Sequence, residues 1–128
     1  MRYIIATHGT LAKGYLETLK MFVNEENIYA VCAYSIDGDN VENDLNAITG
    51  SFTKNEQIIV FTDLFGGSVT QKMIKYFDGW NTKIYAGINL PFILEVILRG
   101  EDINSIEIEE IINDAKNQLI DVLAALNN

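Results

Sequence analysis

The chain contains one histidine, one cysteine and one proline. A lone Cys32 cannot close an internal disulfide, and one thiol with one imidazole falls short of the usual four-ligand zinc site. A single histidine also excludes a metal held by several imidazoles, so any imidazole chemistry belongs to His8. Cations are scarce as well. Lys plus Arg number 9 against 18 Asp plus Glu, a formal net charge of −9. That balance argues against nucleic acid, whose phosphates are bound by clustered cations, and against anionic membrane surfaces. It favours partners with basic patches. No apolar run approaches the ~20 residues of a membrane span. The stretch Tyr3-Ile4-Ile5-Ala6 is much shorter than the apolar region of a signal peptide. A reduced, cytoplasmic setting is the expectation.

What is present is ordinary for a globular protein: 128 residues, 48% hydrophobic and 21% charged. Such a chain buries enough surface to fold without a disulfide or metal staple, and 1–128 is read as one domain. Apolar runs at 2–7, 28–35, 57–62 and 83–88 carry no helical period and read as buried strands. Between them the apolar residues recur at spacings of three and four, the mark of one helix face. Leu11, Ala12, Tyr15, Leu16, Leu19, Phe22 and Val23 form the first such stripe, and Val41, Leu45, Ile48 and Phe52 the second. Val69, Met73, Ile74 and Phe77 form the third. Asp37-Gly38-Asp39-Asn40 is turn chemistry. Pro91 suits the first turn of a helix over 92–98, which Gly100 ends. Asn104 with Glu107 resembles a capping box opening one last helix. Its buried side would carry Ile108, Ile111, Ile112, Ala115, Leu119, Val122, Leu123 and Leu126, with Glu107, Glu109, Glu110, Asp114 and Asp121 solvated.

Strands apolar on both faces, alternating with helices, imply a parallel sheet covered on both sides. The fold class is therefore α/β, a small doubly wound open sheet of four parallel strands in the order 2-1-3-4. The pattern leaves room for an additional edge strand. In such sheets ligands bind at the carboxyl ends of the strands, beside the point where strand order reverses. Here that point lies between the first and third strands, followed by Thr7-His8-Gly9 and by Asp63-Leu64-Phe65-Gly66-Gly67-Ser68.

Each of these residues has a chemical use at that edge. An imidazole is a good nucleophile near pH 7, and its neighbours assign different tasks to its two nitrogens. A carboxylate bonded to one N–H fixes the tautomer and stabilises the cation formed when the other nitrogen is substituted. Asp63 is placed for that. Gly66-Gly67-Ser68 opens a helix, where unpaired backbone N–H groups and the helix dipole can cradle a phosphoryl group. Taken singly, each feature also has a plainer use. A histidine after a strand is often a surface or capping residue, an aspartate begins turns, and Gly-Gly-Ser makes tight turns. The segment lacks the Lys and the spacing of a P-loop. Cys32 reads as a small core residue, Thr10 and Lys13 as helix surface, and the tyrosines as packing.

The conjunction is more specific. Thr7-His8-Gly9, Asp63 through Ser68, and Ala86-Gly87-Ile88-Asn89-Leu90-Pro91, each after a strand, resemble the mannose-family enzyme IIA domain of the bacterial phosphoenolpyruvate-dependent sugar phosphotransferase system. The resemblance spans the whole chain in length and element order. It departs at Val69, where the family frequently has proline. The resemblance implies that His8 accepts a phosphoryl group on Nε2 from the phosphocarrier HPr and passes it to a histidine of enzyme IIB. Asp63 would bond the other ring nitrogen, and Ser68 with the amides around Gly66, Gly67 and Ser68 would hold the phosphoryl oxygens. It further implies a cytoplasmic phosphotransferase that needs no metal or nucleotide cofactor and tends to form homodimers. IIB would be a separate protein, and the membrane IIC and IID components would be reached only through it. Leu64, Phe65 and Leu90, taken as loop residues at the active edge, are the candidates for the apolar centre of partner docking.

Two other readings stay open at this point. One is a non-catalytic module holding a small anion at Gly66-Gly67-Ser68, with a regulatory role. Another is the IIA-like subunit that feeds dihydroxyacetone kinase, although the Thr7-His8-Gly9 and Gly66-Gly67-Ser68 details look closer to the sugar-transport branch. An aspartyl-phosphate receiver is disfavoured. It needs an acidic pair after the first strand, where His8-Gly9 stands, and a Lys after a later one, where Asn89 stands.

Overall fold

The computed structural model describes residues 1–34 and 40–127. Backbone packing divides the chain into two compact units, Met1–Ile88 and Asn89–Asn128. The first carries the sheet. Its strands are β1 (Arg2–His8), β2 (Ile28–Ala33), β3 (Ile58–Thr62) and β4 (Thr82–Ala86). All pair in parallel, in the order β2-β1-β3-β4. The order matches the expectation from sequence, and no further edge strand occurs among the described residues.

The strands are apolar runs because both faces are covered. Ile4 and Ala6 of β1 join Val31, Ala33, Ile58 and Val60 in a cluster closed by Val41 and Leu45 of α2 (Val41–Thr49) and by Val69 and Met73 of α3 (Ser68–Tyr76). The alternate β1 residues Tyr3, Ile5 and Thr7 are buried on the opposite face. There α1 (Leu11–Leu19) packs on β1 and β2 through Ala12 and Leu19. The buried Thr7 hydroxyl accepts the Ala12 N–H at 2.7 Å and so pins the start of that helix to the strand. With α1 on one face and α3 on the other, the connections leaving β1 and β3 diverge. The carboxyl ends of these two adjacent strands are left open between them.

Two helices stop earlier than their apolar stripes suggest. α1 ends at Leu19, where the N–H groups of Met21 and Phe22 turn back to the carbonyls of Thr18 and Leu19 at 3.0 and 2.9 Å. Phe22 is exposed beyond that turn. α2 ends at Thr49, and Phe52 packs against the core from the turn that follows. The turn expected at Asp37-Gly38-Asp39, like Ser35 at the end of the second apolar run, lies outside the described residues.

The second unit contains α4 (Leu90–Arg99), a 3-10 turn (Gly100–Asp102), α5 (Ser105–Lys116) and α6 (Val122–Leu126). Asn89 caps α4 by accepting the Phe92 N–H at 3.0 Å, and its amide donates to the Ala115 carbonyl of α5 at 2.8 Å. Asn104 caps α5 by accepting the Glu107 N–H at 2.8 Å, and the Glu107 carboxylate accepts from the Asn104 side-chain amide at 3.0 Å, where a capping box would use the backbone N–H. The single last helix does not occur. α5 stops at Lys116, and Asp121 starts α6 by accepting the Ala124 N–H at 3.1 Å. Leu119, Val122, Leu123 and Leu126, expected on a buried side, are exposed instead. An aspartate inside an apolar helical pattern is a better cap than interior residue, and here the cap prevails. No helix among the described residues is long and apolar enough to cross a membrane.

Candidate functional site

β1 and β3 are neighbours, with Ala6 level with Thr62, so the residues that follow emerge side by side. His8 ends β1 and Asp63 follows β3. One oxygen of Asp63, Oδ2, accepts both the backbone N–H of His8 and its ring Nδ1–H, each at 2.9 Å. The two bonds fix the imidazole from its own backbone and from its ring together. With the proton on Nδ1, Nε2 is the ring nitrogen that carries a lone pair. The histidine side chain is 39% exposed and the aspartate 12%, so the carboxylate acts from a screened position on a ring that solvent reaches.

Burial pushes the Asp63 carboxyl upward. The bonds from the His8 N–H and ring, with the imidazole charge, outweigh that burial and hold the group below its ordinary range. Asp63 is therefore an anion at neutral pH. Burial, with the Asp63 charge added to it, raises the phenol of Tyr15 on α1.

The loop from β3 to α3 is built tightly. Gly66 has φ +79, a left-handed value that a side chain rarely adopts. Gly67 is the N-cap of α3, and a Cβ there would stand 3.1 Å from Leu64 Cβ, 3.2 Å from the Leu64 carbonyl and 3.6 Å from His8 Cε1. The glycine thus lets the loop close against the imidazole. The Thr70 hydroxyl is bonded at 2.7 Å both to Thr62 Oγ1 and to the Leu64 carbonyl. It ties the first turn of α3 back to the end of β3. Val69, standing where the family frequently has proline, is fully buried in the core on that same turn.

The first intrahelical bond of α3 runs from the Gln71 N–H to the Gly67 carbonyl at 3.1 Å. The N–H groups of Ser68, Val69 and Thr70 therefore have no partner within the helix. The Gly67 N–H differs from expectation. It donates to the Leu64 carbonyl at 3.1 Å and closes the turn, so it is engaged rather than open for an anion.

Of the residues singled out from sequence, the structure brings His8, Asp63 and Gly67 into one cluster and places Ser68 at the helix start beside it. Leu64 and Phe65 are exposed on the adjoining loop, Phe65 at 92%. Leu90 is not a loop residue. It is the first residue of α4, half-buried in the second unit, because Asn89 caps the helix and starts it two residues earlier than expected. Tyr34, read from sequence as packing, stands next to His8 with ring centroids 5.5 Å apart, and its hydroxyl donates to Ser68 Oγ at 3.0 Å. The signal that could have found it is position. It is the residue after β2, at the same sheet edge as His8. Among the described residues no group of three or more His, Cys, Asp or Glu is arranged to hold a metal ion.

The site sets an imidazole against a carboxylate beside a helix start. The family model described as EIIA-man, PTS system fructose IIA component, matches residues 2–116. The chain belongs to this family. It is a phosphoryl-transfer IIA component of a sugar phosphotransferase system, and such components interact in general with HPr and with IIB components. A Streptococcus pneumoniae PTS IIA protein associated with a fucose utilization operon is 27% identical, with TM-score 0.74, over 98% of this chain and 95% of that one. A Klebsiella pneumoniae protein provisionally assigned as a PTS permease is 26% identical, with TM-score 0.79, over 93% of this chain and 88% of that one. The mannose/sorbose-specific IIA subunit of Enterococcus faecalis, at 21% identity and TM-score 0.69 over 93% and 92% of the two chains, shares the fold. No curated protein sequence matches this chain.

Proposed function

We propose that this IIA component is a histidine phosphocarrier in which His8 Nε2 takes the phosphoryl group from phospho-HPr and gives it to a histidine of enzyme IIB. The observation that carries this reading is the 2.9 Å contact between His8 Nδ1 and Asp63 Oδ2. It commits one ring nitrogen to a carboxylate and leaves the other as the nucleophile. In the forward step the Nε2 lone pair bonds to phosphorus as the phosphorus–nitrogen bond to the HPr histidine breaks. The His8 ring becomes cationic and keeps its Nδ1 proton, and Asp63 stabilises that charge without taking the proton. The transferring group carries its charge on three oxygens, so catalysis is largely positioning and electrostatics. The amide of Ser68, its hydroxyl and the amide of Gly66 are the donors for those oxygens. The Gly67 amide acts indirectly, by closing the turn that presents them.

A phosphoramidate on imidazole can pass between histidines of similar basicity without a metal or nucleotide. The excess of acidic residues suits encounter with a carrier whose histidine has a basic or mixed rim. Leu64 and Phe65 supply exposed apolar surface beside the site. We read residues 1–128 as one IIA domain working in the cytoplasm, with HPr as donor, IIB as acceptor and a homodimer as its working form. The family match across 2–116 supports this reading.

The test is incubation with phosphoenolpyruvate, enzyme I and HPr. One phosphate, labile to acid and stable to base, is expected on His8. His8→Ala should abolish it, and labelling that persists in that variant overturns the assignment. Tight calorimetric binding of sugar phosphates by a chain that takes no label would favour the anion-binding module instead.

A further inference from the structure

Tyr34 is the one non-glycine residue with positive φ among the described residues, at +59. A bulky side chain in that region is uncommon, and such backbones persist where the surroundings fix them. The surroundings here are the site itself. The Tyr34 ring lies 5.5 Å from the His8 ring at 35°. The Lys72 ammonium sits over the Tyr34 ring, 4.4 Å from its centroid. The phenol O–H donates to Ser68 Oγ at 3.0 Å. One residue after β2 thus reaches both the imidazole and the start of α3. This is more than packing requires, because the side chain is half exposed and contributes little to the core.

The direction of the Tyr34–Ser68 bond matters. A serine hydroxyl has one proton and two lone pairs. When Ser68 Oγ accepts the Tyr34 proton, its own proton is left to point elsewhere. The cation over the phenol ring favours that polarity, because it draws electron density from the ring and strengthens the O–H as a donor. We propose that Tyr34 is a positioning residue for phosphoryl transfer, orienting the Ser68 hydroxyl as a donor to the phosphoryl oxygens on His8. The inference rests on the His8 phosphocarrier reading and adds to it a residue that follows the edge strand. Tyr34 does not touch the reacting atoms. It acts through Ser68, and Lys72 acts through Tyr34.

The experiment compares wild type, Tyr34→Phe, Ser68→Ala and the double variant. Single-turnover phosphoryl transfer from phospho-HPr is measured over a range of HPr concentrations. Tyr34→Phe keeps the ring, its contact with His8 and the lysine stacking, and removes one O–H. The saturating rate should fall roughly threefold to tenfold, the loss expected for one hydrogen bond of modest strength. The half-saturating HPr concentration should stay unchanged. In the Ser68→Ala background, Tyr34→Phe should cost nothing further, because the group it orients is gone. A wild-type rate in Tyr34→Phe overturns the proposal. So does an equal loss with and without Ser68, which would make Tyr34 merely structural. Failure of the wild type to take phosphate on His8 overturns the parent reading and this one with it. Normal labelling of His8 with an insensitive Tyr34→Phe overturns this one alone.

Discussion

Replacing Asp63 by asparagine removes the charge and turns the buried Oδ1 into an NH2 donor. The side chain keeps its size and an acceptor oxygen, so the His8 backbone N–H can still be bonded where Oδ2 now accepts it at 2.9 Å. The ring bond at the same oxygen, also 2.9 Å, changes from charge-assisted to neutral. Hydrogen bonds to charged groups contribute about 1.5–3 kcal/mol and neutral ones about 0.5–1.5, so the ring bond weakens by roughly 1–1.5 kcal/mol. Solvent screening reduces this little, because the aspartate side chain is only 12% exposed. The loss falls on the phosphorylated ring more than on the free one, since only the former is a cation that needs the anion. Differential stabilisation of that kind appears in the rate of the chemical step. At about 1.4 kcal/mol per factor of ten, Asp63→Asn should slow phosphorylation of His8 roughly tenfold. Rapid-quench transfer from labelled phospho-HPr measures the rate, and circular dichroism checks the fold. A folded variant phosphorylated on His8 within about twofold of the wild-type rate would refute the reasoning, because the carboxylate's charge would then have no role in transfer.

Gly67→Ala places a methyl 3.1 Å from Leu64 Cβ and 3.2 Å from the Leu64 carbonyl. The crowded turn must give, so the chain should lose about 1–3 kcal/mol in urea unfolding, and transfer should fall with it. Thr70→Val keeps the shape but removes the hydroxyl bonded to Thr62 and the Leu64 carbonyl. About 1–3 kcal/mol of stability should go, read by the same titration. Asp63 also sets an acid dependence. Its folded pKa lies below the unfolded value, so its contribution is complete above the ordinary carboxylate pKa of 3.8 and is lost as pH falls through the lower folded value. Unfolding free energy measured downward from pH 5 should therefore drop less steeply in Asp63→Asn than in wild type.

The architecture was legible because it is written in long-range contrasts. Runs such as Tyr3-Ile4-Ile5-Ala6 and Ile58-Ile59-Val60-Phe61 have no polar face, which only a sheet covered on both sides accommodates. Once four such strands alternate with helices, few orders satisfy right-handed crossovers, and 2-1-3-4 is among them. Helix ends were less legible. Phe22 and Leu119 continue an apolar period in sequence, yet local turns after Leu19 and Lys116 stop the helices before them. Periodicity reports which residues would share a face if the helix continued. It does not report whether a cap or turn ends the helix first.

The site divides along the same line. His8 and Asp63 follow adjacent strands, so topology alone brings them to one edge, and the 2.9 Å contact is what that placement allows. The donors around them depend on loop conformation, which residue type constrains only partly. Gly66-Gly67-Ser68 signals a tight turn but not which of its amides the turn consumes, and the Gly67 N–H is the one taken by Leu64. Tyr34 depends on a positive φ that its residue type disfavours, so propensity argues against the conformation that carries it to Ser68. A strained residue of this kind is where local preference and tertiary structure part. Its location beside the imidazole, at the end of the neighbouring strand, makes the strain a property of the site rather than of the sheet.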